Sequence, residues 1–188
     1  MSVAETAFRR VSEAQSKAPD LVTPQSVDDA NVTHYLTGLI DLTTLGVTIR
    51  ANWTFSPHLS LQAYAQPYIA AGSYTQLKDV NNPHASQFKD RFHTLTGNEV
   101  HETADTVFVN YNGMYSFDKP DFNFQQLRST VVLRWEYRPG SSVFAIWTHG
   151  QTNQLAEGRF DLGSNLSDLA HTPSENIVMV KANYWIGL

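Results

Sequence analysis

A chain of 188 residues is about one domain's worth and long enough to bury a core of its own. Its composition is 41% hydrophobic and 12% aromatic but only 16% charged, against about a quarter in ordinary soluble domains, so its polarity comes from Thr, Ser, Asn and Gln. A net charge of -5 supplies no basic stripe for phosphates and argues against nucleic acid as a partner, while the lack of cysteine excludes disulfide scaffolds, thiolate metal sites and cysteine nucleophiles.

No run of about 18 apolar residues is present, so no transmembrane helix is expected, a test that does not reach β-barrels. The first residues lack the apolar core, typically about 7 to 15 residues, of a secretory signal. The expectation is therefore a chain that is either intracellular or a piece of something longer.

In chain order, residues 1–32 read as an irregular or weakly helical lead-in. Ala7, Val11, Ala14 and Ala18 fall near helical spacing with Phe8 as the sole bulky anchor, Pro19 ends the pattern, and Asp20 to Thr33 is polar and Pro-containing. His34 to Leu42 is strand-like with a register switch that suggests a bulge.

Thr43 to Gly72 is the clearest segment. Leu45, Val47, Ile49, Ala51, Trp53 and Phe55 alternate with Thr44, Gly46, Thr48, Arg50, Asn52 and Thr54, as opposite Cβ directions in a strand require. Ser56-Pro57-His58 turns the chain, and Leu59, Leu61, Ala63, Ala65, Pro67, Ile69 and Ala71 then alternate with Ser60, Gln62, Tyr64, Gln66 and Tyr68. Pro67 interrupts the ladder and suggests a second bulge.

Ser73 to Asp105 reads as a long connection with a short helix at Pro83 to Phe92, and Thr106 to Phe117 as a strand interrupted at Asn112-Gly113. Residues 122–149 repeat the hairpin pattern. Leu127, Ser129, Val131, Leu133, Trp135 and Tyr137 share a face opposite Gln126, Arg128, Thr130, Arg134 and Glu136, before a turn at Arg138-Pro139-Gly140. Gly150 to Pro173 is a second long connection, with a helix starting near Ser164, and Asn176 to Leu188 alternates once more.

These features predict an all-β, antiparallel up-and-down meander: a partial outer-membrane-type β-barrel whose long loops carry short helices. A strand of about 13 residues tilted by about 45° crosses the hydrocarbon of a bilayer. Leu45, Val47, Ile49, Trp53, Phe55, Leu133, Trp135 and Tyr137 are the expected lipid-facing residues. Arg50, Tyr64, Tyr68, Arg134 and Glu136 are the expected lumen residues, able to meet a ligand there. Aromatics directly before each tight turn, Trp53 and Phe55 in one hairpin and Trp135 and Tyr137 in the other, sit where a membrane girdle belongs. A soluble β-sheet binding module would alternate in the same way with its apolar face inward. At most seven strands are legible, too few to close a barrel of this strand length, so a fragment is expected.

The runs THYLTGLIDLTTLGVTIRANWTFSPHLSLQAYAQPYIAAGSY, FKDRFH, FNFQQLRSTVVLRWEYRPGSSVFAIWT and NIVMVKANYWIGL resemble the C-terminal part of an uncharacterised bacterial outer-membrane β-barrel domain family usually found after a carbohydrate-binding family-nine-like domain. The resemblance covers residues 33–188, taken as the C-terminal β-barrel segment. It implies a bacterial outer-membrane location, outer-membrane lipid as partner, and a link to carbohydrate through an N-terminal domain and signal peptide that this sequence does not contain. Carbohydrate binding is carried over to no residue here.

Catalytic signatures are sparse. Seven histidines fall mostly in turns and loops, and none has HxH or HExxH spacing, so neither metal nor cofactor is expected. No Gly-x-Ser-x-Gly elbow occurs. A glycan-active hydrolase would need two carboxylates about 5 to 9 Å apart. Glu136 is the residue to consider for it, although beside Arg134 and Arg128 it reads as part of a lumen ion-pair ladder.

Overall fold

A computed structural model describes residues 5–11, 20–27 and 33–186, with side chains described from residue 33 onward. The strands are β1 Glu5–Val11, β2 Asp20–Val27, β3 Thr33–Ser56, β4 Leu59–Val80, β5 Phe92–Thr94, β6 Val100–Glu102, β7 Thr106–Asn110, β8 Met114–Asp118, β9 Phe122–Arg138, β10 Ser141–Leu155 and β11 Ser174–Asn183; the helix is α1, Leu162–His171. The fold is antiparallel and almost wholly β. Its main sheet runs β1-β3-β4-β9-β10-β11, with β2 also on β3 and β5 on β4, and β6-β7-β8 form a second, small sheet.

Four strands dominate, of 24, 22, 17 and 15 residues in β3, β4, β9 and β10. Strands in ordinary globular sheets are about 3 to 10 residues long. Long alternating runs such as Thr44–Phe55 and Leu59–Ala71 underlie that length, and each hairpin closes over two residues, Pro57-His58 and Pro139-Gly140, the latter with Gly140 at φ 77°. The Glu136 amide donates to the His58 carbonyl at 2.8 Å, tying the two turns together.

Several expectations are corrected. The lead-in is strand where it is described: β1 pairs with Thr44–Arg50 and β2 with Thr33–Gly38, end to end along one edge of β3. An open row of backbone donors and acceptors on a 24-residue strand outweighs a marginal helical pattern. The suspected end of that lead-in helix, residues 12–18, lies outside the described residues.

The bulge suspected on β3 lies across the ladder instead. Thr37 pairs with Lys78 and Leu39 with Thr75, so the extra residue belongs to β4, where Gln76 takes φ 51°. Pro67 produces no bulge. Pairing skips from Gly46–Tyr68 to Ile49–Ala65 in unchanged register, a gap that fits a residue without an N–H. The helix expected at Pro83 to Phe92 shrinks to a four-residue 3₁₀ turn, Phe88–Arg91, and the seven legible strands become eleven among the described residues.

The excursion between β4 and β9 has its own core. Leu36 and Leu77 from the long strands pack with Leu95, Val107, Val109, Tyr115 and Phe117, covering the sheet end away from the turns. No closed barrel forms among the described residues, since β11 lies at one end of the sheet and β1 and β2 at the other.

Candidate functional site

Register places the predicted residues on two faces. Trp53 pairs with Leu61, Leu61 with Leu133, Leu133 with Ala145 and Ala145 with Val180, so Leu45, Val47, Ile49, Trp53, Phe55, Leu133, Trp135 and Tyr137 share one face. Among the described residues no second layer covers most of it. Phe55 is 62% and Val178 73% exposed, and Ile49, Trp53, Trp135 and Trp147 also stand exposed.

The other face is polar. Arg50 sits beside Tyr64, its guanidinium 5.7 Å from the ring centroid, and the Tyr64 hydroxyl donates to Gln66 at 2.7 Å. Arg134 donates to Glu136 at 3.0 Å, and the second Glu136 oxygen accepts the Gly140 amide at 3.2 Å, so this carboxylate braces a turn. Tyr68 lies against Phe124 and pairs with Gln126, two rows from Arg50.

The apolar face ends on a slant. On β3 and β4 the last row that is apolar on both strands is Leu45–Ile69, which continues as Gln125 on β9 and Asn153 on β10. On β10 and β11 the last row that is apolar on both strands is Trp147–Val178, which leads back through Val131 and Ala63 to Ala51. From Leu45 to Ala51 the boundary falls by about 20 Å at ~3.3 Å per residue, while the four strand steps to β11 cover about 19 Å at ~4.8 Å each. The boundary is therefore inclined to the strands by roughly 45°, which is the tilt of strands in transmembrane barrels. Leu45 to Phe55 spans about 33 Å along the strand, or about 23 Å in height at that tilt, against an apolar band of about 25 Å in such barrels.

Aromatics mark both limits of this band. Trp53, Phe55, Trp135, Tyr137, Tyr184 and Trp185 gather at the turn end, where Arg138 lies 4.9 Å from the Tyr184 ring and donates to its hydroxyl. At the other limit, the Trp147 indole donates to Asn176 at 3.0 Å. Amphipathic rings with one satisfied polar end suit an apolar–aqueous boundary.

A buried polar cluster joins the excursion to β3 and β4, and the sequence did not reveal it. His34 Nδ1 is 2.7 Å from Asp79 Oδ2, the Tyr115 hydroxyl donates to the same oxygen at 3.2 Å, and the His34 and Tyr115 rings stack at 4.1 Å. Burial first, and the Asp79 carboxylate second, push the Tyr115 phenol far above its ordinary 10.0. Nearby, His93 stacks on Tyr111 at 3.8 Å and meets Glu99 at 2.9 Å. The Thr96 amide and hydroxyl, with His93, hold the Glu99 carboxyl below its usual range. Asp79 lies 45 positions from His34 and 36 from Tyr115, so no local motif announces the cluster. Among the described residues no group of three or more His, Cys, Asp or Glu side chains is arranged to hold a metal.

Comparison with protein families gives one match: the model described as a domain of unknown function, DUF5916, covers residues 23–188. The chain belongs to the DUF5916 family. Searches of curated proteins and of solved structures gave no match. The DUF5916 match begins inside β2 and takes in every later strand, together with the excursion and α1.

The DUF5916 domain also seats α1 on its apolar face, beyond the slanted limit. Asn123 and Gln125 are buried there although they lie in the apolar register, because they form an amide ladder. Asn123 donates to the Arg159 carbonyl at 2.7 Å, Gln125 to Asn123 at 3.2 Å, and Asn153 to Gln125 at 3.2 Å. Gln151 donates to the Thr172 carbonyl at 2.8 Å, holding the far end of the segment. Asp161 caps α1 by accepting the Ser164 amide at 2.8 Å, which holds its carboxyl below the usual range. Beside α1 an apolar groove of about 460 Å³ opens over β3 and β4.

Proposed function

We propose that this DUF5916 domain is the membrane-embedded sheet of a bacterial outer-membrane β-barrel protein, structural or ligand-conducting. In this reading the Leu45 to Phe55 face meets lipid, and Arg50, Tyr64, Tyr68, Arg134 and Glu136 face a wet lumen. The slanted limit of the apolar face carries it, since the strand tilt it implies and the band height that follows both match a bilayer-spanning barrel. A soluble sheet would leave these residues facing water at a large hydrophobic cost. Closure into a barrel requires the edges of β11 and of β1 and β2 to meet further strands.

The carbohydrate link rests on the family resemblance and attaches to the domain that precedes such barrels. Within this chain, the rings of Tyr64 and Tyr68 are the surfaces on which a sugar passing through the lumen would stack. No hydrolytic role is proposed for Glu136, whose two oxygens are engaged by Arg134 and Gly140.

The test is vesicle flotation of the chain refolded from urea, with urea extraction of the floated fraction. Extraction-resistant association, with a heat-dependent shift in electrophoretic mobility, is the expected result. A monodisperse, detergent-free monomer with sharp cooperative unfolding would refute it and favour the soluble binding module. Loss of a glycan-cleaving activity in folded Glu136→Gln would instead favour the hydrolase.

A further inference from the structure

We propose that the groove beside α1 seats one acyl chain of an anionic membrane phospholipid, with the lipid phosphate held by Arg159; this rests on the reading that the β3–β4 face meets lipid. The floor is Leu45, Val47, Pro67 and Ile69, and the wall is Phe160, Leu162 and Leu166. Its volume of about 460 Å³ falls in the range, about 300–1,000 Å³, of sites that enclose small molecules. No charged side chain lines it, and Thr43 and Thr44 supply its hydroxyls.

Two features select a lipid chain as occupant. First, Leu45 and Val47 line the groove floor and share a strand face with the exposed Ile49, Trp53 and Phe55, so the groove opens onto the face that this reading turns to hydrocarbon. The helix is oriented accordingly: Asn165 and Leu169 are buried, whereas Leu162 and Leu166, four residues apart, line the groove, with Leu166 44% exposed. Second, an exposed cation adjoins the groove wall along the chain. Arg159 directly precedes Phe160, its side chain is 80% exposed, and it has only a loose contact at 3.9 Å with Asp161. The amide ladder fixes the Arg159 backbone on Asn123, two residues past Gln125, where the row of Leu45 and Ile69 gives way to amides.

The full chain, refolded in vesicles of phosphatidylcholine with phosphatidylglycerol, is transferred to detergent and its retained lipids are counted by native mass spectrometry. Retention of one phosphatidylglycerol per chain is expected. Leu166→Gln, which changes a half-exposed helix residue, should reduce retention about tenfold, the effect of losing part of one leucine's burial. Arg159→Gln should abolish the preference for phosphatidylglycerol over phosphatidylcholine while leaving chain retention in place. Val47→Trp, which fills the groove from the strand side, gives a second test of occupancy. Flotation is measured on each sample. A chain that floats but retains no lipid, or retains it equally in Leu166→Gln and Val47→Trp, overturns the acyl-chain site and leaves the membrane reading standing. A chain that does not float overturns both.

Discussion

Replacing Ile49 with arginine separates a lipid-facing sheet from a water-facing one. Ile49 is 43% exposed and lies near the middle of the Leu45 to Phe55 band, whereas Phe55 lies at its turn-end limit. On a surface in contact with water, such a change would alter stability by no more than about 0.5 kcal/mol. At the midplane of a bilayer an arginine costs about 2–4 kcal/mol, falling to about 0–1 kcal/mol near the interface. Ile49→Arg should therefore shift the folding equilibrium by about one and a half to three orders of magnitude. Phe55→Arg should change it by less than about one order. The slanted limit extends the expectation: Val131→Arg on β9 should resemble Ile49→Arg, because Val131 lies midway between Leu127 and Tyr137. The assay is reversible guanidinium unfolding in phospholipid vesicles, followed by tryptophan fluorescence. Penalties that are equal at residues 49 and 55, or that stay within about 0.5 kcal/mol at residue 49, would refute the depth argument.

Three further outcomes follow from the excursion and the α1 segment. Asp79→Ala removes the acceptor shared by His34 and Tyr115, and should destabilise the excursion by about 1–3 kcal/mol, read as faster amide exchange in β7 and β8. Because the Tyr115 phenol is raised in the folded state, its contribution is complete below pH 10 and is lost as pH rises above that value; Tyr115→Phe should flatten the alkaline fall in stability, and an unchanged fall would contradict the assignment. A Cβ on Gly158 would come within 2.7 Å of the Gly72 carbonyl oxygen, so Gly158→Ala should displace the segment leading to α1 at a cost of about 1–3 kcal/mol, detectable as loss of protection at Ser164.

The long strands were legible because alternation is a local property: Leu45 to Phe55 and Leu127 to Tyr137 declare their faces without reference to any partner. The same locality explains what was missed. Nothing in Glu5–Val11 announces a strand, because its pairing is imposed by the open edge of β3. Ser73 to Val80 looked like loop because the bulge at Gln76 breaks its period. Asn123 and Gln125 carry no outward sign of burial, since their cover comes from residues 159–172, and the Asn123 amide finds its acceptor only in that segment. The tilt was hidden for a related reason: it is a relation among five strands and appears only when their registers are known.

The excursion that bears the His34–Asp79–Tyr115 cluster has a consequence for the order of folding. Each long hairpin closes over two residues, but joining β4 to β9 brings together Gly72 and Phe122, with the whole excursion between them. Closing a slack loop of that length carries an entropic cost that grows with the logarithm of its length. The small sheet shortens the effective loop, because Asp79 at the end of β4 and Tyr115 just before β9 are joined through one carboxylate oxygen. A clasp formed early would convert a distant pairing into a near-local one, so Asp79→Ala should slow the docking of the β9–β10 hairpin onto β3–β4 more than it slows either hairpin alone.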